Sequence, residues 1–481
     1  MCKPCLHALG LEGEGRADVP AGVSEQQDHG HPNKRLWAPF ILQIASVQVQ
    51  QSTVCVPVRA SGMSVPQQPF SLDRYHVSEE YGFILPAPLT ELPPYYKPWM
   101  DIAQNIPKLI QSHSLRSHVH AMPLLDSRFL VSHKELRLAH LALSMMTMGY
   151  VWQEGESGAV KVLPRNLAIP YWDVSQRLGL PPILTHADGV LANWRKKNPE
   201  GPFDMENLEL IATIPGGESA RGFFMVTLLV ELAAVPGLRA IPTIINEMHR
   251  GNKEGVTNAL EDITQALGSM TEALKLMHAY VDPSVFYGIM RMYLSGWKDN
   301  PSMAEGLLYE GVREEPMEFS GGSAAQSSLL HCFDELLGVR HEGHSGAFLS
   351  RMREYMPPTH KQLIHDISRS ISLRGYVQKE ASVPLTEAYG RCVSQLLALR
   401  NYHINVVGRF ITVPAARARQ LCGQGQHAEE RALAKAPTAL ENRGTGGSGI
   451  MSFLKTVRDR TQEAHMTAPI LLPSLSCRAD N

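Results

Sequence analysis

The chain lacks an apolar run long enough to cross a bilayer. Its longest, Phe223 to Val235, is thirteen residues and carries Thr227 and Glu231. A membrane helix needs about 20 apolar residues, so this stretch reads as a buried helix and no membrane partner is expected. An excess of one charge is missing too. With 45 basic and 47 acidic residues, a net charge of −2 and no basic stripe, nucleic acid is not an expected partner. Cysteine is sparse: seven residues, an odd number, at positions 2, 5, 55, 332, 392, 422 and 477. That excludes a disulfide framework and fits a reducing, cytoplasmic setting. Cys2 and Cys5 have CxxC spacing without a second pair to complete a zinc site. The first twenty residues mix Glu, Arg and Asp with Gly, which does not make a secretory signal.

Catalytic signatures are also scarce. G-x-S-x-G and Walker sequences do not occur, which leaves hydrolases and nucleotide enzymes without support. His341-Glu342-Gly343-His344 has the wrong spacing for a zinc helix and reads as a surface loop. Gly444, Gly446 and Gly449 match G-x-G-x-x-G, but no strand precedes them, and Asp459 and Glu463 follow too early for a ribose acid. What remains is a backbone-rich loop able to close over a pocket.

What is present is helical periodicity. Leu385, Tyr389, Cys392, Leu396, Leu399, His403, Val406 and Phe410 alternate steps of four and three, one stripe on a helix of about seven turns that Pro414 should stop. Leu260 to Val281 gives a second stripe. Asp282-Pro283 starts another helix, with Phe286, Met290, Tyr293 and Trp297 on one face. Helices are also expected over Arg137 to Val151, Tyr171 to Leu178, Leu184 to Trp194, from Gly217 to a stop at Pro236-Gly237, and after Gly449. The fold class is all-α. Residues 1–68 lack periodicity and read as an extension that is disordered or foreign to the natural protein, and 468–481 as a disordered tail. A smaller N-terminal domain is placed at 69–212 and a larger helical one at 213–467, with a connecting loop at 310–328 and a mobile loop at 417–448.

Several residues stand out from their apolar surroundings. His403 on its stripe is either a core histidine with satisfied ring nitrogens or a ligand aimed inward. Arg291 either snorkels to the surface or forks a carboxylate. Asp334 on an apolar helix face needs a partner if buried. Phe223 and Phe286 are ordinary core aromatics or pocket walls. Gly321-Gly322-Ser323, central in the long loop, suit close backbone approach to a ligand. Together they suggest a helical pocket with aromatic walls, one guanidinium and one inward histidine. One histidine cannot hold zinc well, but it can hold haem iron, where the porphyrin supplies four ligands.

The strings LPRNLAIPYWDVSQRLGLPPIL, ADGVLANW, GFFMVTLLVE, YLSGWKDNP, GGSAAQSS, RNYHINVV and RGTGGSGIMSFLKTVRD resemble the indoleamine 2,3-dioxygenase family, over roughly Tyr75 to Glu463. His186, Thr227 and Gly189 stand where the first vertebrate paralogue has a tyrosine, a serine and a cysteine, which places the resemblance nearer the second. The resemblance implies a two-domain helical haem dioxygenase that opens the C2–C3 bond of L-tryptophan with O2 to give N-formylkynurenine. It implies haem b held by His403 as proximal ligand, with Asp334 and Arg400 behind it. His186, Gly189, Phe223, Thr227 and Phe286 would shape the indole pocket, and Arg291 would take the carboxylate. Gly322, Ser323 and Ala324 would approach from the long loop, and Gly444, Thr445 and Gly446 would close on substrate. No protein group is expected to act as acid or base, tryptophan turnover is expected to be weak, and the protein is expected to be a monomer. Two other roles stay open. Ile169-Pro170-Tyr171-Trp172-Asp173-Val174 fits a loose I-x-Y-x-x-V motif, which would bring an SH2-domain partner to phosphorylated Tyr171. A haem protein that senses O2 without turnover is the third reading.

Overall fold

The computed structural model describes residues 68–421, 444–446 and 449–466. The expected N-terminal extension up to residue 67, with Cys2 and Cys5, lies outside the described residues. So do the tail from 467 and most of the 417–448 loop. The helices that shape the molecule are α1 (His133–Trp152), α2 (Arg165–Leu178), α3 (Glu218–Ala233), α4 (Val235–Arg250), α5 (Lys253–Lys275), α6 (Ser328–Leu337), α7 (Gly343–Arg353), α8 (Pro358–Arg369), α9 (Val383–Val407), α10 (Val413–Leu421) and α11 (Ile450–Glu463). Sheet among the described residues is confined to two pairs of two-residue strands.

Helix α5 is the hub, packed against α3, α4 and α9, while α11 lies along α9. Its sequence explains this. Leu260, Ile263, Leu267 and Met270 recur at three- and four-residue spacing and are all buried. The α9 stripe is buried in the same way from Leu385 through Leu399 and again at Val406 and Phe410. Helix α1 is nearly all buried and starts at a capping box, where Ser132 accepts from the Glu135 amide and Glu135 reciprocates. Contrary to the sequence expectation that no run is long enough to cross a bilayer, Glu218–Arg250 is long and apolar enough by length and composition, yet 61% of its most apolar window is buried in the fold. One apolar core cluster runs from Leu72 to Ala464 and crosses residue 212 without interruption.

Several element boundaries differ from the sequence expectation. Pro414 does not stop its helix: after α9 the chain makes a π-helical turn, Gly408–Thr412, and continues as α10, which takes residues 417–421 out of the expected loop. A wide turn before a proline leaves room for the ring that would otherwise clash with the preceding carbonyl. Pro236-Gly237 opens α4 rather than ending the helical run, because proline fits a first turn. Helix α2 begins at Arg165, six residues before Tyr171, held by burial of Leu167, Tyr171 and Val174 despite Pro170. From Leu184 to Trp194 only a π turn, Ala187–Leu191, forms. There Asp188 turns back to accept from the Thr185 amide at 3.0 Å.

Two histidines buried away from the cavity set an acid limit on stability. Burial, with a backbone bond to Ala325 opposing it, lowers His331 to about 4. Burial and the nearby Arg137, His76, His133 and His186 lower His360 to about 3. Both folded values lie below the unfolded 6.5, so their contribution is complete above that pH and is lost as pH falls toward 4 and then 3. Between pH 7 and pH 5 each should remove about 2 kcal/mol. Asp334, held near 2, contributes nothing across that interval. Urea midpoints at the two pH values test this, and an unchanged midpoint would contradict neutral burial of both rings.

Candidate active site

A cavity of about 280 Å³ opens between α3, α5, α9 and the loop before α6. Its walls are mostly apolar and aromatic. Phe223 packs against Phe224 at 5.4 Å and Phe286 at 5.2 Å, and Phe286 meets Phe410 edge-on at 6.0 Å. Three π-helical turns border it and contribute Gly189, Phe286 and Ile411. Such turns each insert one residue and re-aim everything after them.

The turn Phe286–Met290 has the largest consequence. One residue is about 100° of helical rotation, and the helical run ends at Tyr293, short of Trp297, although Met290, Tyr293 and Trp297 are all buried. Arg291 is swung into the interior, 1% exposed, with its guanidinium over the Tyr287 ring at 5.0 Å. Burial lowers its pKa to about 10, with Tyr287 opposing, so it is still a cation at neutral pH. The snorkelling reading of Arg291 is thereby overturned. A buried guanidinium bordering a cavity is a ready partner for a carboxylate.

His403 faces the cavity from α9, half-buried, and no hydrogen bond joins its ring to another described residue. Burial, with Arg400 one turn earlier, lowers it to about 4. The ring is therefore neutral near pH 7 and keeps a lone pair for a ligand. Behind it, Arg400 Nη2 donates to both oxygens of Asp334 at 2.7 Å, and its Nη1 donates to Thr461 on α11. Burial pushes Asp334 up, but Arg400 and His341 outweigh it and hold the carboxyl near 2. His341, expected on a surface loop, turns inward instead, its Nε2 2.8 Å from Asp334. Seven residues separate the two, so the loop closing α6 brings the ring back onto its acid. Asp334→Ala would leave Arg400 buried without its carboxylate and should cost about 3–5 kcal/mol in urea denaturation. A loss under about 1 kcal/mol would show that the pair does not hold α6 to α9.

The long loop is ordered over its glycine centre and meets the cavity with Gly322, Ser323 and Ala324. A Cβ on Gly321 would stand 2.1 Å from the Leu294 carbonyl, so only glycine fits there. Thr445 Oγ1 donates to the Gly322 carbonyl at 2.6 Å, and the Gly321 amide donates to Thr445 at 3.2 Å. Gly444, Thr445 and Gly446 therefore join the wall as expected. Sequence reasoning missed the residues that fix this loop. Gln326 donates to Gly321 at 2.8 Å and accepts from the His186 amide at 3.0 Å, His331 meets the Ala325 carbonyl at 2.9 Å, and Arg351 donates to Gly446 at 3.2 Å.

His186, Gly189 and Thr227 also reach the wall. Thr227 donates to the Phe223 carbonyl at 2.7 Å. His186 is not alone: its Nε2 lies 2.8 Å from Glu231 Oε1. Glu231 was also missed, although a lone acid inside an apolar helical run was its signal. Gly189 is anchored from behind by Asp188, whose carboxylate takes His140 at 2.7 Å and Thr185 at 2.7 Å in a fully buried network. Tyr171 belongs to that core. It is 0% exposed with its hydroxyl 2.7 Å from Ser144, so a kinase or an SH2 domain cannot reach it while α2 is in place.

Together these features define a helical protein with an apolar, aromatic-walled cavity bordered by a neutral imidazole and a buried guanidinium. A profile of the indoleamine 2,3-dioxygenase family matches residues 71–464. The chain is 54% identical to indoleamine 2,3-dioxygenase 2 of Mus musculus, covering 82% of this chain and 96% of that protein. It is 52% identical to indoleamine 2,3-dioxygenase 2 of Homo sapiens, with the same two coverages. To indoleamine 2,3-dioxygenase 1 of Rattus norvegicus it is 45% identical, covering 83% and 96%. The chain belongs to the indoleamine 2,3-dioxygenase family and is an oxidoreductase, a dioxygenase acting on indoles.

Proposed function

We propose that the protein is a haem-dependent dioxygenase that opens the C2–C3 bond of L-tryptophan to N-formylkynurenine, the first step of the kynurenine pathway, in the cytoplasm. The observation that carries this reading is that His403 and Arg291 border one apolar cavity. The donor set supports haem over a bare metal ion. Among the described residues no group of three His, Cys, Asp or Glu could hold a metal, whereas His403 offers one neutral imidazole with no protein hydrogen bond, facing apolar walls. A haem held there through His403 would supply the activation of O2.

The chain's own residues do the rest. The Arg400–Asp334–His341 cluster fixes the helix that presents His403 and keeps a positive charge near its ring. Arg291 would take the substrate carboxylate in two parallel hydrogen bonds, which sets the direction of the indole. Phe223, Phe224 and Phe286 would confine the ring and keep water away, with Thr445 and Gly446 closing the mouth over the 321–324 backbone. Cys332 and Cys392, buried and unpaired, fit a reducing compartment.

Purified protein supplied with haem, ascorbate, methylene blue and L-tryptophan tests the reading. The expected result is a haem absorption spectrum and N-formylkynurenine accumulating with time. A haem spectrum without product would favour an O2-binding protein, and failure to take up haem would remove the proposal.

A further inference from the structure

A second cleft, of about 720 Å³, opens where the last turns of α4 and α8 meet the short helical turn Asp73–Tyr75. It shares no lining residue with the cavity that His403 borders. Three arginines from distant parts of the chain converge on it: Arg74 from the turn, Arg250 from α4 and Arg369 from α8, with His249 and His365 beside them. Among the described residues the one carboxylate in its wall is Asp366. Both of its oxygens are taken. Oδ2 accepts from the Tyr75 hydroxyl at 2.8 Å, and Oδ1 from Gln362 Nε2 at 2.8 Å. Its ion-pair contact is with His365, at 3.4 Å, and not with an arginine. Arg250 pairs with Glu247, which lies outside the wall. Arg74 lies over the Tyr75 ring at 5.9 Å, and neither it nor Arg369 forms an ion pair with a described carboxylate. The wall therefore carries an excess of positive charge.

Cations in the last turn of a helix offset its dipole, which accounts for His249, Arg250 and Arg369 taken singly. It does not account for Arg74, whose three-residue turn has little dipole to offset. Nor does it explain why three guanidinium groups surround one hollow, where like charges repel unless an anion lies between them. The hollow is also held in shape. Asn246 Oδ1 accepts from the Phe70 amide at 2.8 Å and its Nδ2 donates to the Phe70 carbonyl at 2.9 Å, while the Phe70 ring packs on Tyr75 at 5.7 Å. This ties the segment that carries Arg74 to the end of α4.

We infer that this cleft binds a small polyanion bearing two or more phosphate groups. A guanidinium fork matches two phosphate oxygens, and one phosphate cannot satisfy three forks set around a hollow. Asp366 does not compete for the arginines, because its oxygens are already filled from Tyr75 and Gln362.

Calorimetric titration of the full-length protein with pyrophosphate, orthophosphate and citrate in 0.15 M salt tests the inference, and it does not depend on haem or turnover. One pyrophosphate per chain is expected to bind, about tenfold tighter than either orthophosphate or citrate. The double variant Arg74→Ala/Arg369→Ala should weaken pyrophosphate by about tenfold or more, and both side chains are exposed, so the fold should survive. Arg74→Lys/Arg369→Lys keeps the charge without the forks and should recover only part of the affinity. Lys108→Ala, an exposed cation outside the cleft, should change nothing. Absence of saturable binding overturns the inference, as does orthophosphate or citrate matching pyrophosphate. Wild-type affinity in the lysine variant, or an equal loss from Lys108→Ala, would show diffuse charge attraction and overturn it too.

Discussion

His403→Ala should give a folded protein that holds haem without a protein ligand and opens indoles about a thousandfold more slowly or worse. The separation of folding from function follows from where the ring sits. His403 faces the cavity and makes no hydrogen bond to another described residue, so its removal breaks no polar contact in the core. The stripe that holds α9, Leu385 to Leu399 with Val406 and Phe410, is untouched. The urea midpoint should therefore stay close to that of the wild type, while the absorption spectrum loses its histidine-ligated form. Imidazole added to the buffer should enter the space left by the side chain and restore part of the spectrum. A variant with wild-type spectrum and rate would show that His403 is not the ligand. The contrast with Asp334→Ala is informative: one residue faces the cavity, while the other is buried behind it in the contacts that join α6 to α9.

The seam that presents His403 was legible because an amphipathic helix writes its buried face as a local three-and-four spacing, and α5 was legible for the same reason. The ion pair behind His403 came half from local pattern, as an acid on an apolar face, and half from family resemblance, which supplied Arg400. The π turns were not legible. Each inserts one residue where tertiary packing compensates the local strain, and nothing in the spacing of Phe286, Met290 and Tyr293 marks the insertion. Periodicity accordingly left the side of the helix on which Arg291 falls open between surface and interior. His341 was misread because its partner is reached by a loop reversal that periodicity does not describe. Glu231 and His186, 45 residues apart, meet only across the cavity. For Glu231 the sequence offered just the oddity of an acid in GFFMVTLLVE. Pro414 shows the converse error, a strong local signal overridden because the preceding turn widens to receive it.

Arg291→Leu should raise the KM for L-tryptophan by on the order of a hundredfold, with little change in the rate on tryptamine, which lacks the carboxylate. Two charge-assisted hydrogen bonds at the lower end of their range, about 1.5 kcal/mol each, set that scale. The comparison between the two substrates separates loss of carboxylate recognition from general damage to the site. Folding should not suffer. The guanidinium is 1% exposed, and burial already lowers its pKa to about 10, so its charge is carried at a cost that leucine does not incur. What leucine gives up includes the stacking on Tyr287 and the side-chain hydrogen bond with it. Arg291→Lys keeps a charge but not the planar fork, and should recover only part of the affinity. If tryptamine and tryptophan lose the same factor in the leucine variant, the guanidinium shapes the pocket without holding the carboxylate. The π turn that carries Arg291 inward would then need a different purpose.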